Sequence, residues 1–151
     1  MTAPERQLTL QETIEVPHSG GTIWRPRIGF GVYQSPPDIC KKSCLEALLC
    51  GYRAIDTAQC YGNEAQVGEA VRESGILRGE IFITTKLLMP QGSVEETLER
   101  CWQSVREIGL GYVDLFLIHT PSSGLARRRE MWLALERLME EGGTRAIGVS
   151  N

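Results

Sequence analysis

The sequence predicts an α/β fold of the (β/α)8 TIM-barrel type, present as an incomplete barrel: an N-terminal β-hairpin, then about five parallel strands and four helices, in a single domain over 1–151. Three observations lead there. Short apolar segments alternate with amphipathic ones, and the positions that end the apolar segments (56, 86, 119 and 151) recur about every 30 residues, the length of one βα unit. Repeated βα units with right-handed crossovers build either an open doubly wound sheet or a closed barrel. No GxGxxG and no GxxxxGK[ST] stands at any βα turn, which weakens the usual nucleotide-binding open sheets. Instead, polar residues sit at the C-terminal ends of successive strands, where barrel enzymes carry their sites.

The elements follow in order. Residues 1–12 are polar and expected to be loose. Thr13–Val16 and Thr22–Trp24 flank the turn sequence PHSGG and read as a hairpin suited to closing the bottom of a barrel. RIGFGVY, Arg27–Tyr33, reads as a short strand whose Gly29 and Gly31 allow either close approach or a bend. Ser35-Pro36-Pro37-Asp38 has the form of a helix start, with Ser as N-cap, and the helix presents Ile39, Leu45, Leu48 and Leu49 before stopping at Gly51. A strand Arg53–Asp56 leads to a helix over Glu64–Ser74 with Val67, Ala70 and Val71 on one face. Ile81–Lys86 is a β-branched strand. Ser93 and Glu96 form a capping box for a helix with Val94, Leu98, Cys101, Trp102, Val105 and Ile108 on one stripe. Val113–His119 is nearly continuous in apolar residues, as in a strand buried on both faces. A helix over Arg129–Glu141 ends at Gly142-Gly143, and Arg145–Ser150 is the last strand.

Composition excludes several classes. A chain with 42% hydrophobic and 23% charged residues can bury an ordinary soluble core, and a net charge of −3 gives no basic surface for nucleic acid or an anionic membrane. No apolar run approaches the roughly 20 residues of a membrane span, and MTAPERQLTLQETIEV lacks the form of a secretory signal, so a cytoplasmic location is expected. Five cysteines with no CxxC pair read as reduced packing residues, and two histidines are too few for a zinc-type cluster, so no metal is expected. Cys40 and Cys44, four apart on one helix, can share a buried face.

The strand endings bring together Asp56, Lys86 and His119, with Tyr61 five positions after Asp56. A carbonyl becomes an alcohol when hydride reaches its carbon and a proton reaches its oxygen. A phenol, with a free pKa of about 10, is a suitable acid once a nearby ammonium favours its phenolate. Lys86 can supply that charge, Asp56 can hold Lys86, and His119 can orient the substrate oxygen or help relay the proton. Hydride requires a cofactor. Singly, each residue has a plain structural alternative: a loop acid, a partly buried aromatic, a solvated lysine, a strand-end histidine satisfied by a partner. Together, at βα spacing, they point to one proton-donating site.

These residues lie within motifs that resemble those of the aldo-keto reductases. GYRAIDTAQCYGNEAQVG over 51–68 is similar to the family's opening signature, with Asn-Glu starting its helix. ITTKL resembles its lysine strand, YVDLFLIHTP its histidine strand, and AIGVSN a later strand motif. The resemblance implies a reductase of small-molecule aldehydes or ketones that uses NADPH, with Asp56, Tyr61, Lys86 and His119 as catalytic residues. By the same resemblance Gly31, Val32 and Tyr33 line the cofactor site alongside Asp56, and Ser150 and Asn151 hydrogen-bond the nicotinamide carboxamide.

Glu141-Gly142-Gly143-Thr144 departs slightly from the family pattern, and Asn151 falls inside the third motif. Five of the eight barrel strands are counted, and the late basic segment that holds the cofactor's 2′-phosphate in the family has no counterpart. Arg127-Arg128-Arg129 reads as a solvated helix start. The chain is therefore expected to represent the N-terminal portion of a barrel, a truncated form whose uncovered sheet edges favour self-association. Two alternatives stand beside the reductase: a catalytically inactive remnant with a regulatory or binding role, and an open-sheet binding protein.

Overall fold

The structure is a computed structural model that describes residues 9–18, 21–121 and 124–151. Its elements run β1 (Thr13–His18), β2 (Gly21–Pro26), β3 (Phe30–Gly31), α1 (Pro37–Leu49), β4 (Ala54–Asp56), α2 (Glu64–Glu73), β5 (Phe82–Leu87), α3 (Val94–Ile108), β6 (Val113–Ile118), α4 (Leu125–Glu140) and β7 (Thr144–Val149). The expected loose segment falls mostly on residues 1–8, and the tip of the PHSGG turn on residues 19–20; both lie outside the described residues.

Strand order decides between the two sheet architectures. β3, β4, β5, β6 and β7 are parallel and neighbour one another in sequence order. A doubly wound sheet reverses its order at a switch point. Here there is no reversal, and α1 packs on α2, α2 on α3 and α3 on α4, along one side of the sheet. This is the winding of a (β/α)8 barrel, carried through five strands and four helices. β1 and β2 form a separate antiparallel hairpin. Ile23 of the hairpin is buried among Ala54, Phe82 and Ala146, with Val16 and Leu115 packed against them, so the hairpin covers the N-terminal end of the sheet.

The larger core lies between the sheet and its helices. Leu48, Val67, Ile83, Val105, Phe116 and Leu135 are buried there, and burying each such side chain contributes about 1.5–3 kcal/mol. α3 starts where Ser93 accepts from the Glu96 N–H at 3.2 Å, and Leu98, Cys101, Val105 and Ile108 are its buried stripe. α2 approaches α3 through Gly68. A Cβ there would stand 1.7 Å from the Ile108 carbonyl oxygen, a backbone atom that cannot move aside.

Four local expectations are corrected. The strand expected over Arg27–Tyr33 pairs only at Phe30 and Gly31, because Val32 already turns into the loop, its carbonyl accepting the Ser35 N–H at 3.1 Å. The N-cap of α1 is Pro36 rather than Ser35, since the Pro36 carbonyl accepts the Ile39 and Cys40 N–H groups. The core face of α1 is Cys40, Cys44, Ala47 and Leu48, with Cys40 and Cys44 sulfurs 4.0 Å apart, whereas Ile39 and Leu49 are exposed. α4 begins at Leu125, four residues before Arg129, its first turn closed by the Arg128 N–H to the Gly124 carbonyl at 3.0 Å.

Candidate active site

β4, β5 and β6 run parallel and end on the same side of the sheet, β4 at Asp56 opposite Thr84 and β5 and β6 at the paired Leu87 and Ile118, which is why residues distant in sequence meet there. Asp56 pairs with Thr84 across the β4–β5 ladder, and the His119 N–H continues the β5–β6 ladder to the Leu87 carbonyl at 2.9 Å. After Asp56 the chain makes a 3-10 turn over Gln59–Tyr61 and leaves it through Gly62 at φ 67°, a left-handed conformation favourable for glycine. That turn carries the Tyr61 phenol back over the strand ends.

Lys86 is the centre of the group. Its side chain is 7% exposed and its ammonium is ion-paired to Asp56 Oδ1. It also donates to the Thr57 carbonyl at 3.0 Å and lies 3.5 Å from Tyr61 Oη. A buried ammonium needs such partners, because desolvation costs several kcal/mol when unpaired. The same ammonium stands 5.1 Å from the centre of the Tyr61 ring. On its other side, Tyr61 Oη lies 3.5 Å from His119 Nε2, and the two rings meet edge to face at 5.6 Å. The phenol is thus held between an ammonium and an imidazole by two long contacts, which leave its oxygen available to a third partner.

His119 is held below the ordinary histidine value, first by burial and then by the Lys86 charge, with Asp56 pulling the other way. At neutral pH its imidazole is therefore uncharged. Its Nδ1 lies 3.5 Å from Cys60 Sγ. A cleft of about 190 Å³, lined by Gln59, Cys60, Leu88, Met89, Gln91 and Arg100, adjoins the site at Cys60.

The other candidate positions gather at the same end. Gly31 opposes Asp56 in the β3–β4 ladder, and a Cβ at Gly31 would meet nothing within 4 Å, which leaves room above the strand. Tyr33 is exposed, with its ring 5.0 Å from that of Tyr61. Val32 is buried: its N–H donates to the Asp56 carbonyl, and its carbonyl is taken by Ser35 and Asn63, so it shapes the loop from within. The Ser150 N–H donates to the Ile118 carbonyl at 2.9 Å, and Asn151 Nδ2 to the His119 carbonyl at 2.8 Å. Asn151 is thereby tied to the residue that carries the imidazole. Among the described residues no group of three or more His, Cys, Asp or Glu side chains is placed to hold a metal, and no helix is long and apolar enough to cross a membrane.

A sequence model of the Aldo/keto reductase family matches residues 27–151. The chain belongs to the aldo/keto reductase family. It is 45% identical over 126 residues to an aldo-keto reductase of Mycolicibacterium vanbaalenii, covering 83% of this chain and 45% of that one. It is 41% identical over 126 residues to a morphine 6-dehydrogenase of Pseudomonas putida, covering 83% of this chain and 43% of that one. Among solved structures, the aldo/keto reductase of Brucella melitensis superposes with a TM-score of 0.84 at 43% identity, over 93% of this chain and 54% of that one. An aldo-keto reductase of Bombyx mori in complex with NADP superposes with a TM-score of 0.78 at 28% identity, over 91% of this chain and 50% of that one. The chain thus spans about half the length of these family members.

Sequence reasoning did not single out the groups that fix the site from below. Thr57 contributes the carbonyl that holds Lys86, and Cys60 touches the imidazole. Asn63 and Glu64 were visible only as the opening of a helix, yet both are buried and hydrogen-bonded to other elements. A polar pair at a helix start signals capping first, which masks a longer reach.

Proposed function

We propose that the chain is the N-terminal, proton-donating portion of a single barrel domain that reduces an aldehyde or ketone to an alcohol, with hydride from NADPH and with Tyr61 as the proton donor. The observation that carries this reading is the Lys86 ammonium lying between the Asp56 carboxylate and the Tyr61 hydroxyl, with His119 on the far side of the phenol.

NADPH, when bound, supplies the hydride that the side chains cannot. The chain's residues do the rest. A carbonyl oxygen placed at Tyr61 Oη and His119 Nε2 is oriented by the uncharged imidazole. As negative charge develops on that oxygen, the Tyr61 O–H bond breaks and the proton passes to it, leaving an alcohol and a phenolate. The Lys86 ammonium favours that phenolate electrostatically, and Asp56 keeps the ammonium from swinging away. Solvent then returns the proton to Tyr61.

The residues fit the nicotinamide end of such a cofactor. Gly31 leaves open space beside Asp56 and Tyr33 offers an exposed ring, while Ser150 and Asn151 present a hydroxyl and an amide oxygen for a carboxamide. For the cofactor's 2′-phosphate the fit is poorer: Arg127, Arg128 and Arg129 belong to the first turns of α4, and Arg128 is engaged with the Pro121 carbonyl at 2.6 Å. The substrate is a small-molecule carbonyl compound and the location cytoplasmic, with neither nucleic acid nor membrane as partner. β3 and β7 are the outer strands of the five-stranded sheet, and their free edges favour self-association.

Prepared alone, the 151-residue chain is expected to bind NADPH weakly and to turn over slowly, because five strands supply only part of the cofactor site. Each missing charge-assisted hydrogen bond is worth about 1.5–3 kcal/mol, so several together weaken affinity by orders of magnitude. Titration of NADPH, followed by its fluorescence, and a steady-state assay with a reactive aldehyde test this on folded protein. Turnover of about 1 per second or more would overturn the expected weakness. An extended, full-barrel version that neither binds NADPH nor turns over would overturn the reductase reading and leave a non-catalytic, regulatory role.

A further inference from the structure

Asn63 occupies the N-cap position of α2, where asparagine is favoured because its side chain accepts an N–H from the first turn. Here that bond is not made. The side chain is fully buried and turned outward. Its Nδ2 donates to the Val32 carbonyl at 3.0 Å and to the Ser35 carbonyl at 3.0 Å, and its Oδ1 accepts from Thr57 Oγ1 at 2.7 Å. Both amide hydrogens are spent on the loop after β3, and the oxygen on Thr57 at the far end of Asn63's own loop.

Those loops carry the site. Val32 and Ser35 flank Tyr33, whose ring packs on Tyr61 at 5.0 Å. Thr57 follows Asp56; its carbonyl accepts from Lys86 Nζ and its N–H donates to the Thr84 carbonyl at 2.9 Å. Asn63 itself stands two residues after Tyr61, across Gly62. The side chain therefore ties the loop after β3 to the loop after β4 at the point where the phenol must be held over Lys86.

We propose that Asn63 is a positioning residue: its side chain latches the two loops together and so sets where the Tyr61 phenol stands relative to Lys86 and His119. It touches neither substrate nor cofactor. A capping bond, the local use of this side chain, is forgone in favour of the latch. The proposal rests on the reading of Asp56, Tyr61, Lys86 and His119 as the working groups. It is tested by geometry, without turnover, so it fails independently of that reading.

The experiment is NMR of the 151-residue chain, recording cross-peaks between the Tyr61 and His119 rings and the titration of the His119 imidazole. The groups that face His119 are Lys86, Asp56, Tyr61 and Cys60. In Asn63→Ala the loop bearing Cys60 and Tyr61 is released, the ring cross-peaks fade, and His119, less buried, titrates closer to its ordinary 6.5. Amide signals of β5, β6 and α3 stay in place. A folded Asn63→Ala protein with lower stability but unchanged cross-peaks and titration would reduce Asn63 to a structural residue and overturn the proposal. Should Asn63→Ala not fold, Thr57→Val decides: it removes only the hydroxyl that Asn63 accepts, and the same two signals must move in the same direction, by less. Their constancy in a folded Thr57→Val protein overturns the proposal equally.

Discussion

At the N-terminal end of the sheet a single buried acid gathers the charge; at the C-terminal end a single buried cation does. Asp114 on β6 is 2% exposed and accepts from Arg78 at 2.7 Å, from Arg145 at 2.9 Å and from the Ile83 N–H at 2.9 Å. Arg78 is itself fixed by the Ile81 and Tyr112 carbonyls and lies 4.0 Å over the Tyr112 ring. At the other end Lys86 has a tight ion pair with Asp56, but its contact to Tyr61 is 3.5 Å, as is the next one from Tyr61 to His119. The first cluster saturates its central group with short bonds. The second stops short of saturation, and the group left loosely held is the acid proposed to react. Tight satisfaction rigidifies, whereas long contacts keep a proton transferable.

The largest effect expected from that contrast is kinetic. In the chain extended to a whole barrel, Tyr61→Phe removes the transferable proton and keeps the ring, so kcat should fall by about 10²–10⁴, or about 3–5 kcal/mol in the barrier. Unfolding free energy should change by less than about 0.5 kcal/mol, as for substitutions away from tight networks. Activity within a few-fold of the parent would remove Tyr61 from the chemistry and erase the distinction between the two ends.

The reverse substitution is structural. Asp114→Ala leaves Arg78 and the buried Ile83 N–H without their acceptor, and breaking a buried pair costs about 3–5 kcal/mol. The lower figure applies because Arg145, with its side chain 44% exposed, can return to water. Urea unfolding measures this directly, and a loss under about 1 kcal/mol would show the bottom cluster to be as loose as the top. Arg145→Ala should cost far less, about 0–1 kcal/mol, as for an exposed partner. A loss equal to that of Asp114→Ala would mean that Arg145 rather than Arg78 carries the cluster.

Much of this was legible in the chain. Asp56, Lys86 and His119 stand out because each ends an apolar run at βα spacing, and the capping box and stripe of α3 are long enough to specify it. What escaped has physical causes. The start of α4 at Leu125 is hidden by its three arginines, of which Arg127 and Arg129 are exposed and Arg128 half-buried, and which give no apolar periodicity. On α1, Leu48 and the shared face of Cys40 and Cys44 were legible, but Ile39 and Leu49 are exposed where packing was expected. Asp114 could have been found, since a lone acid in an apolar strand requires a partner. The latch of Asn63 could not, because the two partners in the other loop are the backbone carbonyls of Val32 and Ser35, which no sequence pattern marks.

Glu64 sharpens the comparison most finely. Like Asp114 it is a buried acid, 4% exposed, but its hydrogen-bond partners are hydroxyls: Thr85 Oγ1 at 2.5 Å and Ser104 Oγ at 3.0 Å. Burial raises its pKa above the ordinary 4.5, and the two hydroxyls offset only part of that. Between the ordinary and the raised value the folded chain keeps a proton that the unfolded chain has lost. The contribution of Glu64 to stability is therefore complete below about 4.5 and declines as pH rises through the folded value. Glu64→Gln keeps a polar group of the same shape between the hydroxyls and cannot ionise. Its stability relative to the parent should improve as pH rises above 4.5 and level off once pH has passed the raised value. Taking the difference between variant and parent cancels the opposite trend from His119, whose lowered value makes stability rise with pH below its ordinary 6.5. Urea unfolding of both proteins across that range is the check. A difference that stays constant with pH would mean that the two hydroxyls compensate the burial of Glu64 in full.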